Sequence, residues 1–235
     1  MEIDRTLIVV PTYNERENVR ALIGRLLEVA PVADVILVDD HSPDGTAAAA
    51  ENAFATNPRF SSVTRTGPRS YGRSVLDGCR IALERGYARI VQMDADFSHD
   101  PETVPLLVDA ARDADVAIGS RYCRGGRIAN WPWHRRLLSR FANQYVTQIT
   151  ALKILDSTSG FRCYRRRALE QILTTPVTAE GYAFQVETIF RAHQAGLRIV
   201  EIPITFTDRR AGQSKMSTKV ILESVLKPWS LRFSR

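Results

Sequence analysis

The sequence has 235 residues, 44% hydrophobic and 25% charged, a composition typical of a globular protein with one large domain or two small ones. It has no apolar run near the ~18 residues of a membrane-spanning helix, its first residues lack the form of a signal peptide, and its three cysteines fit no metal or disulfide spacing, so we expect a protein of the reducing cytoplasm. The net charge of +6 leaves nucleic acid, anionic lipid or a phosphate-bearing substrate as partners to be distinguished.

Strands and helices are predicted to alternate through the first 120 residues. The predicted elements, in chain order, are a strand at 6–10, a helix at 15–29, a strand at 34–40, a helix after 44–46, a strand at 61–65, a helix at 73–85, a strand at 88–94, a helix after Pro101 and a strand at 115–120. Near-continuous apolar strands alternating with helices predict a mostly parallel sheet with helices on both faces. We therefore predict one α/β domain over residues 1–235, with a basic C-terminal elaboration.

Acidic and basic residues are segregated along the chain. Residues 1–118 hold 12 basic and 19 acidic side chains, a net charge of −7, whereas residues 119–235 hold 20 and 7, a net charge of +13. An arginine-rich genome explains why 28 of the 32 basic residues are arginine, but it does not explain the segregation. The two parts are therefore expected to bind different partners.

Three polar clusters follow predicted strands, at 11–15, 39–42 and 94–96. In a parallel sheet the carboxyl ends of the strands form one edge, where ligands bind, so the clusters are expected to converge. No G-x-G-x-x-G follows the first strand, which argues against a dinucleotide-dependent dehydrogenase.

The aspartates of Asp94-Ala95-Asp96 point the same way if the backbone is extended, and two adjacent carboxylates repel unless a cation or a proton lies between them. Hard cations such as Mg²⁺ or Mn²⁺ favour carboxylate oxygens and often add substrate phosphates. The alternative is that Asp96 or Ser98 caps the helix after Pro101. The position at the end of the strongest strand favours the metal.

Nine motifs occur in an order that resembles a known family. They are VVPTYNERENV, ILVDDHSPDGT, VQMDADFSHDPE, IGSRY, WPWHRRLLSRFAN, DSTSGFRCYRR, EGYAFQVE, EIPITFTDR and GQSKMS. Together they resemble the family-2 glycosyltransferases of the GT-A fold, specifically the polyprenyl-phosphate (dolichol-phosphate) mannose synthases. The resemblance implies a Rossmann-like GT-A domain, with a nucleotide-sugar and metal half at 1–120 and an acceptor-binding, membrane-facing half at 121–235.

The resemblance also implies roles for single residues. The residues implied to bind the nucleotide sugar are Pro11, Tyr13, Glu15, Val38, Asp40, Asp94, Ala95, Asp96, Arg209 and Lys215. The implied catalytic set is Asp96, Arg121, Arg209 and Lys215, and Arg121 and Arg135 are implied to bind the acceptor phosphate. Mg²⁺ or Mn²⁺ would be held by Asp94 and Asp96. Ser98 stands where some relatives have a longer Gln ligand, so either Ser98 or a water would complete that position.

The implied reaction is inverting transfer of mannose from GDP-mannose to a polyprenyl monophosphate. Transfer of glucose from UDP-glucose to the same acceptor is the rival, and the DADFSHDP and GQSKMS forms favour mannose. A phosphate monoester has a second pKa near ~6, so the acceptor needs no strong base. Glu187 matches a family acid, but the sequence does not identify it as a base.

Two stretches could bring the chain to a bilayer. Residues 134–152 place apolar side chains at helical spacing after Trp131 and Trp133, and residues 220–229 form a second apolar stripe beside lysines. Packing of both stretches on the core is the alternative. We expect attachment to the cytoplasmic membrane face, either directly or through a membrane partner subunit.

Two other classes of function are less well supported. A nucleic-acid binder would suit the pI of about 9.5, but no helix-turn-helix, zinc or RNA-binding motif occurs. A nucleotide-sugar sensor without catalysis would share the donor site. The run Arg165-Arg166-Arg167 is expected to be a solvated surface.

Overall fold

A seven-stranded sheet lies at the centre of the computed structural model, which describes residues 5–181, 183–208 and 218–233. The strands of this part of the chain are β1 Thr6–Thr12, β2 Ala33–Asp39, β3 Phe60–Thr64, β4 Arg89–Gln92, β5 Val116–Ser120, β6 Arg127–Ile128, β7 Arg162–Arg165, β8 Ile199–Pro203 and β9 Thr205–Phe206. The order in the sheet is β3-β2-β1-β4-β7-β5-β8, and β6 pairs with β9 in a separate parallel ribbon. Strand β7 runs antiparallel to both neighbours, and the other six strands are mutually parallel.

Helices cover both faces of the sheet. The helices of the described residues are α1 Arg16–Val29, α2 Thr46–Phe54, α3 Tyr71–Glu84, α4 Val104–Ala110, α5 Trp133–Thr150, α6 Arg166–Ile172, α7 Ala183–Gln194 and α8 Thr218–Phe233, with a 3-10 turn at Pro101–Thr103 before α4. Helices α1, α2 and α4 pack in one apolar core, and α3 and α5 to α8 contribute to the other. The predicted α/β architecture with a mostly parallel sheet is thus confirmed.

The apolar sequence of β1 explains the two cores. Leu7 and Val9 point into the core under α3, while Ile8 and Val10 point into the core under α1, because successive side chains of a strand face opposite ways. Helix α3 approaches β1 closely at Gly78, where an added Cβ would lie 2.3 Å from a methyl carbon of Val9. A strand buried on both faces therefore reads as a continuous apolar run.

The predicted strands stop at residue 120, but the sheet continues through β7 and β8. Strand β7 has the sequence RCYR, which lacks an apolar pattern. Its Arg162 is nonetheless fully buried, and its guanidinium donates to the backbone oxygens of Ser157 and Gln185 and to the hydroxyl of Thr188. A strand that contains a buried arginine bound to neutral acceptors cannot be predicted from the periodicity of its apolar residues.

The expectation of a solvated arginine run after β7 is wrong for its first two members. The Arg165 guanidinium donates to the Ala111 oxygen at 2.7 Å, and Arg166 binds both the Leu83 oxygen and Glu170 at 2.8 Å. Only Arg167 is mostly exposed. These arginines connect the end of β7 to its neighbours.

The apolar side chains of helix α5 differ in exposure between its two halves. Toward its C-terminal end Val146 and the following Leu152 are buried in the core. In its N-terminal half the exposed apolar side chains are Trp133, Leu137, Leu138 and Phe141. Trp131, just before the helix, packs inward: its ring is buried, and its centroid lies 5.3 Å from that of Phe206.

Helix α8 packs beside α5 and α7. The buried Glu187 of α7 accepts from Lys227 of α8 at 2.7 Å and from Arg191 at 2.6 Å. The Trp229 indole of α8 donates to the Tyr145 hydroxyl of α5 at 2.8 Å. Within the described ranges, none of the helices combines the length and apolar character needed to cross a membrane.

Candidate active site

The three polar clusters lie side by side at one edge of the sheet, because β2, β1 and β4 are neighbours. The loops after β1 and β2 are joined directly. The Thr12 hydroxyl donates to Asp39 at 2.8 Å, the Asn14 amide donates to the Ser42 hydroxyl at 3.0 Å, and the Glu15 amide donates to the Thr46 hydroxyl at 2.9 Å. The predicted convergence of these clusters is confirmed.

Each of these three loops contains a residue other than glycine in the left-handed backbone region. They are Asn14 at φ 54°, His41 at φ 57° and Phe97 at φ 60°. Asparagine tolerates this conformation, whereas a bulky residue such as Phe adopts it rarely. Backbone strain of this kind persists where the surrounding structure enforces it, and it is concentrated at binding and catalytic sites.

Asp40, predicted to bind the nucleotide, is already engaged within the protein. Its carboxylate pairs with the buried guanidinium of Arg65 and accepts from the Ser70 amide at 2.7 Å. Arg65 in turn binds Asp77 at 2.8 Å. Asp40 therefore fixes the loop that leads into α3, and its buried side chain leaves little surface for a ligand.

The other predicted nucleotide residues take different positions at this edge. Tyr13 is half-buried and lies under the Arg69 guanidinium, 4.5 Å from the ring centroid. Glu15 is largely buried and accepts from the Asn18 amide at 2.9 Å. Pro11 and Val38 are buried in β1 and β2, so Val38 can contribute only backbone to a pocket.

The Asp94 carboxylate is bound by the hydroxyl of Tyr71, which two glutamine side chains hold in turn. The Tyr71 hydroxyl of α3 donates to this carboxylate at 2.7 Å, and the same hydroxyl accepts from the amides of Gln92 at 2.9 Å and Gln185 at 3.2 Å. A Cβ at Gly160 would lie 2.8 Å from that hydroxyl and 3.3 Å from the Asp94 carboxylate. Only glycine leaves room here for the Tyr71 hydroxyl and the Asp94 carboxylate. The Asp94 side chain is one-third exposed.

Asp96 and the residues after it form a tight turn at the same edge. The Ser98 amide donates to the Asp96 carboxylate at 3.0 Å, and Ser98 itself is buried. His99 lies wholly in the interior, 3.9 Å from the Asp94 carboxylate, and accepts from the Asp94 amide at Nδ1. Burial lowers the pKa of His99, so this imidazole is a neutral support of the turn rather than a solvent-facing base.

Two carboxylates at this edge suit a divalent cation that also binds phosphate oxygens. Among the described residues, no three His, Cys, Asp or Glu side chains form a cluster able to hold a metal ion alone. Mg²⁺ and Mn²⁺ sites commonly use one or two carboxylates together with substrate phosphates and water. The donor set of Asp94 and Asp96 fits such a shared site.

Arg121 follows β5 and is locked in place by a buried acid. Asp156, fully inaccessible, accepts from the Arg121 guanidinium at 2.6 and 2.8 Å and from its backbone amide at 2.9 Å. The backbone amide of Asp156 donates to the Glu201 carboxylate at 2.9 Å. A bidentate pair of this kind fixes the plane of the guanidinium.

Arg135, on the first turn of α5, lies close to Arg121. Its guanidinium stacks 4.0 Å from the centroid of Trp131 and pairs with Asp208 at 3.1 Å. The Arg121 guanidinium lies 6.0 Å from the same Trp131 ring and 5.2 Å from Phe206. The two arginines predicted to bind the acceptor phosphate thus lie near the same indole ring.

An aromatic cluster joins the aspartates to these arginines. Its members, in order of contact, are Phe161, His99, Phe206 and Trp131, whose consecutive ring centroids are 5.0 to 5.3 Å apart. The Thr207 amide also donates to the Ser98 oxygen at 3.2 Å. The Asp94 carboxylate thus lies beside His99 of this cluster, and the two guanidinium groups lie against its other rings, Phe206 and Trp131.

Three predicted residues and one candidate base are still to be located. Ala95, between the two aspartates, is buried in the core, and Arg209 and Lys215 lie outside the described residues. Glu187 is no candidate base: burial alone would raise its pKa, but hydrogen bonds from Lys227 and the Ala179 amide outweigh burial and lower it.

Sequence reasoning missed the residues that hold the site residues in place. Arg65, Tyr71 and Asp156 each bind a predicted site residue from a distant part of the chain. Asp156 lies in a motif quoted above, but no spacing relates it to Arg121. For Arg65 and Tyr71 the sequence carries no signal.

Known proteins resemble this chain over most of its length. The model of the family described as "Glycosyl transferase family 2" matches residues 7–173. The polyprenol monophosphomannose synthase of Mycolicibacterium smegmatis is 45% identical over 97% of this chain and 88% of its own, and the undecaprenyl-phosphate mannosyltransferase of Micrococcus luteus is 43% identical over 94% and 91%. The glucosyl-3-phosphoglycerate synthase of Mycobacterium tuberculosis, solved with Mn²⁺ and UDP, superposes with a TM-score of 0.68 at 17% identity, over 97% of this chain and 79% of its own.

Proposed function

The chain belongs to glycosyl transferase family 2, as its motifs predicted, and on this premise we propose that it transfers mannose from GDP-mannose to a polyprenyl monophosphate. The mannose-transferring relatives at 43 and 45% identity support the sugar and the class of acceptor. One observation carries the proposal: the Asp94 carboxylate and the guanidinium groups of Arg121 and Arg135 all lie against one aromatic cluster. Such a site can hold two anionic reactants facing each other.

The donor is proposed to bind at the edge formed by β2, β1 and β4. Asp94 and Asp96 would hold Mg²⁺ or Mn²⁺, and the cation would supply charge neutralisation on the diphosphate leaving group. Tyr71 keeps the Asp94 carboxylate oriented, and His99 supports the backbone of the same turn. The Mn²⁺ and UDP in the M. tuberculosis structure support a divalent ion in this fold.

The acceptor phosphate is proposed to bind at Arg121 and Arg135. The Arg121 guanidinium is oriented by Asp156, and Arg135 is oriented by Trp131 and Asp208. Guanidinium groups bind phosphate bidentately and would offset the repulsion between the acceptor phosphate and the donor diphosphate. Arg209 and Lys215 are proposed to complete this set.

In the proposed reaction, a phosphate oxygen of the acceptor attacks the anomeric carbon as the bond to the diphosphate oxygen breaks, which inverts the configuration. The attacking phosphate is mostly dianionic at neutral pH because its second pKa is near ~6. No proton need be removed from such a phosphate, so the proposed reaction requires no general base. The residues act by positioning and charge compensation.

The polyprenyl chain of the proposed acceptor lies in a bilayer, so the protein must contact that bilayer. We propose that α5 and α8 make this contact. Their exposed apolar side chains are Trp133, Leu137, Leu138 and Phe141 on α5 and Leu222, Val225, Leu226, Trp229 and Phe233 on α8. Exposed apolar side chains on adjoining helices are typical of an interfacial membrane contact. The surface lies beside Arg135, so the polyprenyl phosphate would enter from the bilayer. We propose that the protein attaches peripherally to the cytoplasmic face of the membrane, either alone or with a membrane partner subunit.

The test is a donor panel with the purified chain, a short polyprenyl phosphate and Mn²⁺ or Mg²⁺. We expect turnover of GDP-mannose to mannosyl-phosphopolyprenol, detected by mass spectrometry, and its loss on chelation of the metal. Turnover of UDP-glucose alone would replace the donor and keep the rest of the proposal. Intact donor after long incubation with both metals would favour a nucleotide-sugar sensor.

A further inference from the structure

A cavity of about 380 Å³ opens between the N-terminal half of α5 and the segment around β6, beside the proposed acceptor site. Both arginines and apolar side chains contribute to its lining. The residues that line it are Arg121, Tyr122, Gly126, Arg127, Ile128, Trp133, Arg136, Leu137 and Arg140.

Three of the cavity's arginines differ from those of the proposed acceptor site. Arg121 and Arg135 are paired with buried or half-exposed aspartates. Among the described residues, no carboxylate lies within ion-pair distance of Arg127, Arg136 or Arg140. Like charges one turn apart on a helix, as at 136 and 140, are destabilising unless an anion lies between or beside them. The cavity therefore carries positive charge that the described part of the protein does not neutralise.

Two apolar residues that line the cavity, Trp133 and Leu137, also belong to the exposed apolar surface of α5. Trp133 and Leu137 lie one turn apart on α5, as do Arg136 and Arg140, so one flank of the helix carries both pairs. Both apolar residues are mostly exposed. If the apolar surface of α5 meets a bilayer, the three arginines lie at the level of the lipid headgroups.

We propose that this cavity, which adjoins the proposed acceptor site and shares Arg121 with it, binds the phosphate of an anionic phospholipid of the host membrane. The inference rests on the proposed function, because membrane contact through α5 is part of that function. Arg127, Arg136 and Arg140 bind the phosphate, and Trp133 and Leu137 contact the first carbons of the lipid. The bound lipid anchors α5 and so presents Arg135 to acceptors in the same bilayer.

The test measures binding of the full chain to vesicles of phosphatidylcholine, with and without phosphatidylglycerol, by flotation. Each arginine near an anionic surface contributes about fivefold in binding. The variant Arg127→Gln, Arg136→Gln, Arg140→Gln is expected to lose most of the preference for anionic vesicles, tenfold or more. Its matched control is Arg20→Gln, Arg85→Gln, Arg112→Gln, which removes three exposed arginines elsewhere and should retain the preference.

Three outcomes would overturn the proposal: no preference of the wild type for anionic vesicles, an equal loss in both triple variants, or a tenfold loss of turnover by the first variant in detergent without phospholipid. The last outcome would make the cavity part of the acceptor site. Single variants give the same readout if the triple variant does not fold. Failure of the proposed function is distinct, because it appears as no turnover by the wild type while vesicle binding can still be measured.

Discussion

The donor side and the acceptor side of the site are built in different ways. On the donor side, Asp39, Asp94 and Asp96 end or directly follow parallel strands, and hydroxyl groups or backbone amides hold their carboxylates. On the acceptor side, Arg121 and Arg135 lie on a loop and a helix, and aspartates distant in sequence hold them. The topology of the sheet positions the first group, whereas ion pairs position the second.

The proposed donor and acceptor sites would account for the segregation of charge along the chain. A divalent cation and its diphosphate require negative ligands at the strand ends, and an acceptor phosphate requires cations opposite them. The acids that remain in the basic half are not spread at random. Asp156, Glu187 and Asp208 each compensate a specific arginine or lysine.

The largest expected effect tests the donor side. Asp96→Asn keeps the size of the side chain and removes its charge, so the proposed metal loses one of its two carboxylates. We expect kcat/KM to fall roughly 10³-fold and Mn²⁺ binding in the presence of GDP to weaken in a spectroscopic titration. The control Asp100→Asn alters an exposed carboxylate four residues away in the same loop and should leave turnover near the wild-type value. Full activity of the first variant would contradict the metal role.

The next effect concerns the architecture of the acceptor side. Glu187→Gln removes the buried anion that pairs with the partly buried Lys227 and Arg191, which costs about 3 kcal/mol of unfolding free energy. The pKa of Glu187 is lowered in the folded protein, so its stabilisation is present above the unfolded pKa of ~4.3 and fades as pH falls below that value. The difference between wild type and variant in urea denaturation should therefore shrink on acidification.

The matched control for that variant is Glu170→Gln, which breaks the half-exposed pair with Arg166. It should cost no more than about 0.5 kcal/mol at any pH. A cost as large as that of Glu187→Gln would mean that burial does not distinguish the two pairs. An unchanged stability of Glu187→Gln would show that α8 is held by its other contacts.

Features set by the sheet topology could be predicted from the sequence, whereas features set by buried arginines and distant ion pairs could not. The strands up to residue 120 and the convergence of the three loops follow from apolar runs and from the geometry of parallel sheets. Strand β7 could not be predicted, because its buried Arg162 interrupts the apolar pattern. The roles of Arg121 and Arg135 came only from resemblance, since no local pattern indicates which exposed cation meets a substrate.

The supporting residues could not be predicted for a related reason. Arg65, Tyr71 and Asp156 act on residues 23 to 35 positions away along the chain. Such pairs are fixed by tertiary packing, and a single sequence carries no signal of them. The exposure of the N-terminal half of α5 could likewise not be read from its amphipathic pattern, which is the same for a core helix and an interfacial one.

A third effect tests whether ion pairs orient the acceptor arginines. Arg121→Lys keeps the charge but cannot bind Asp156 and a phosphate with the same planar geometry. We expect kcat/KM for the acceptor to fall about 30-fold, a loss of about 2 kcal/mol, with the KM for GDP-mannose unchanged. The control Arg124→Lys changes an exposed arginine of the same loop and should have no effect. A rise in the donor KM alone would place Arg121 on the donor side.

The smallest expected effect lies where the two sides meet. Tyr71 belongs to α3 and orients Asp94, but its hydroxyl also accepts from Gln185 of α7, so the acceptor side helps to position a donor-side carboxylate. Tyr71→Phe removes this connection and should weaken Mn²⁺ binding in the presence of GDP about tenfold, as measured by electron paramagnetic resonance. The control Tyr145→Phe removes a hydroxyl that joins α5 to α8 and should leave metal binding unchanged. Equal metal affinity of Tyr71→Phe and wild type would mean that Asp94 is positioned by its own loop, and the two sides would then be independent.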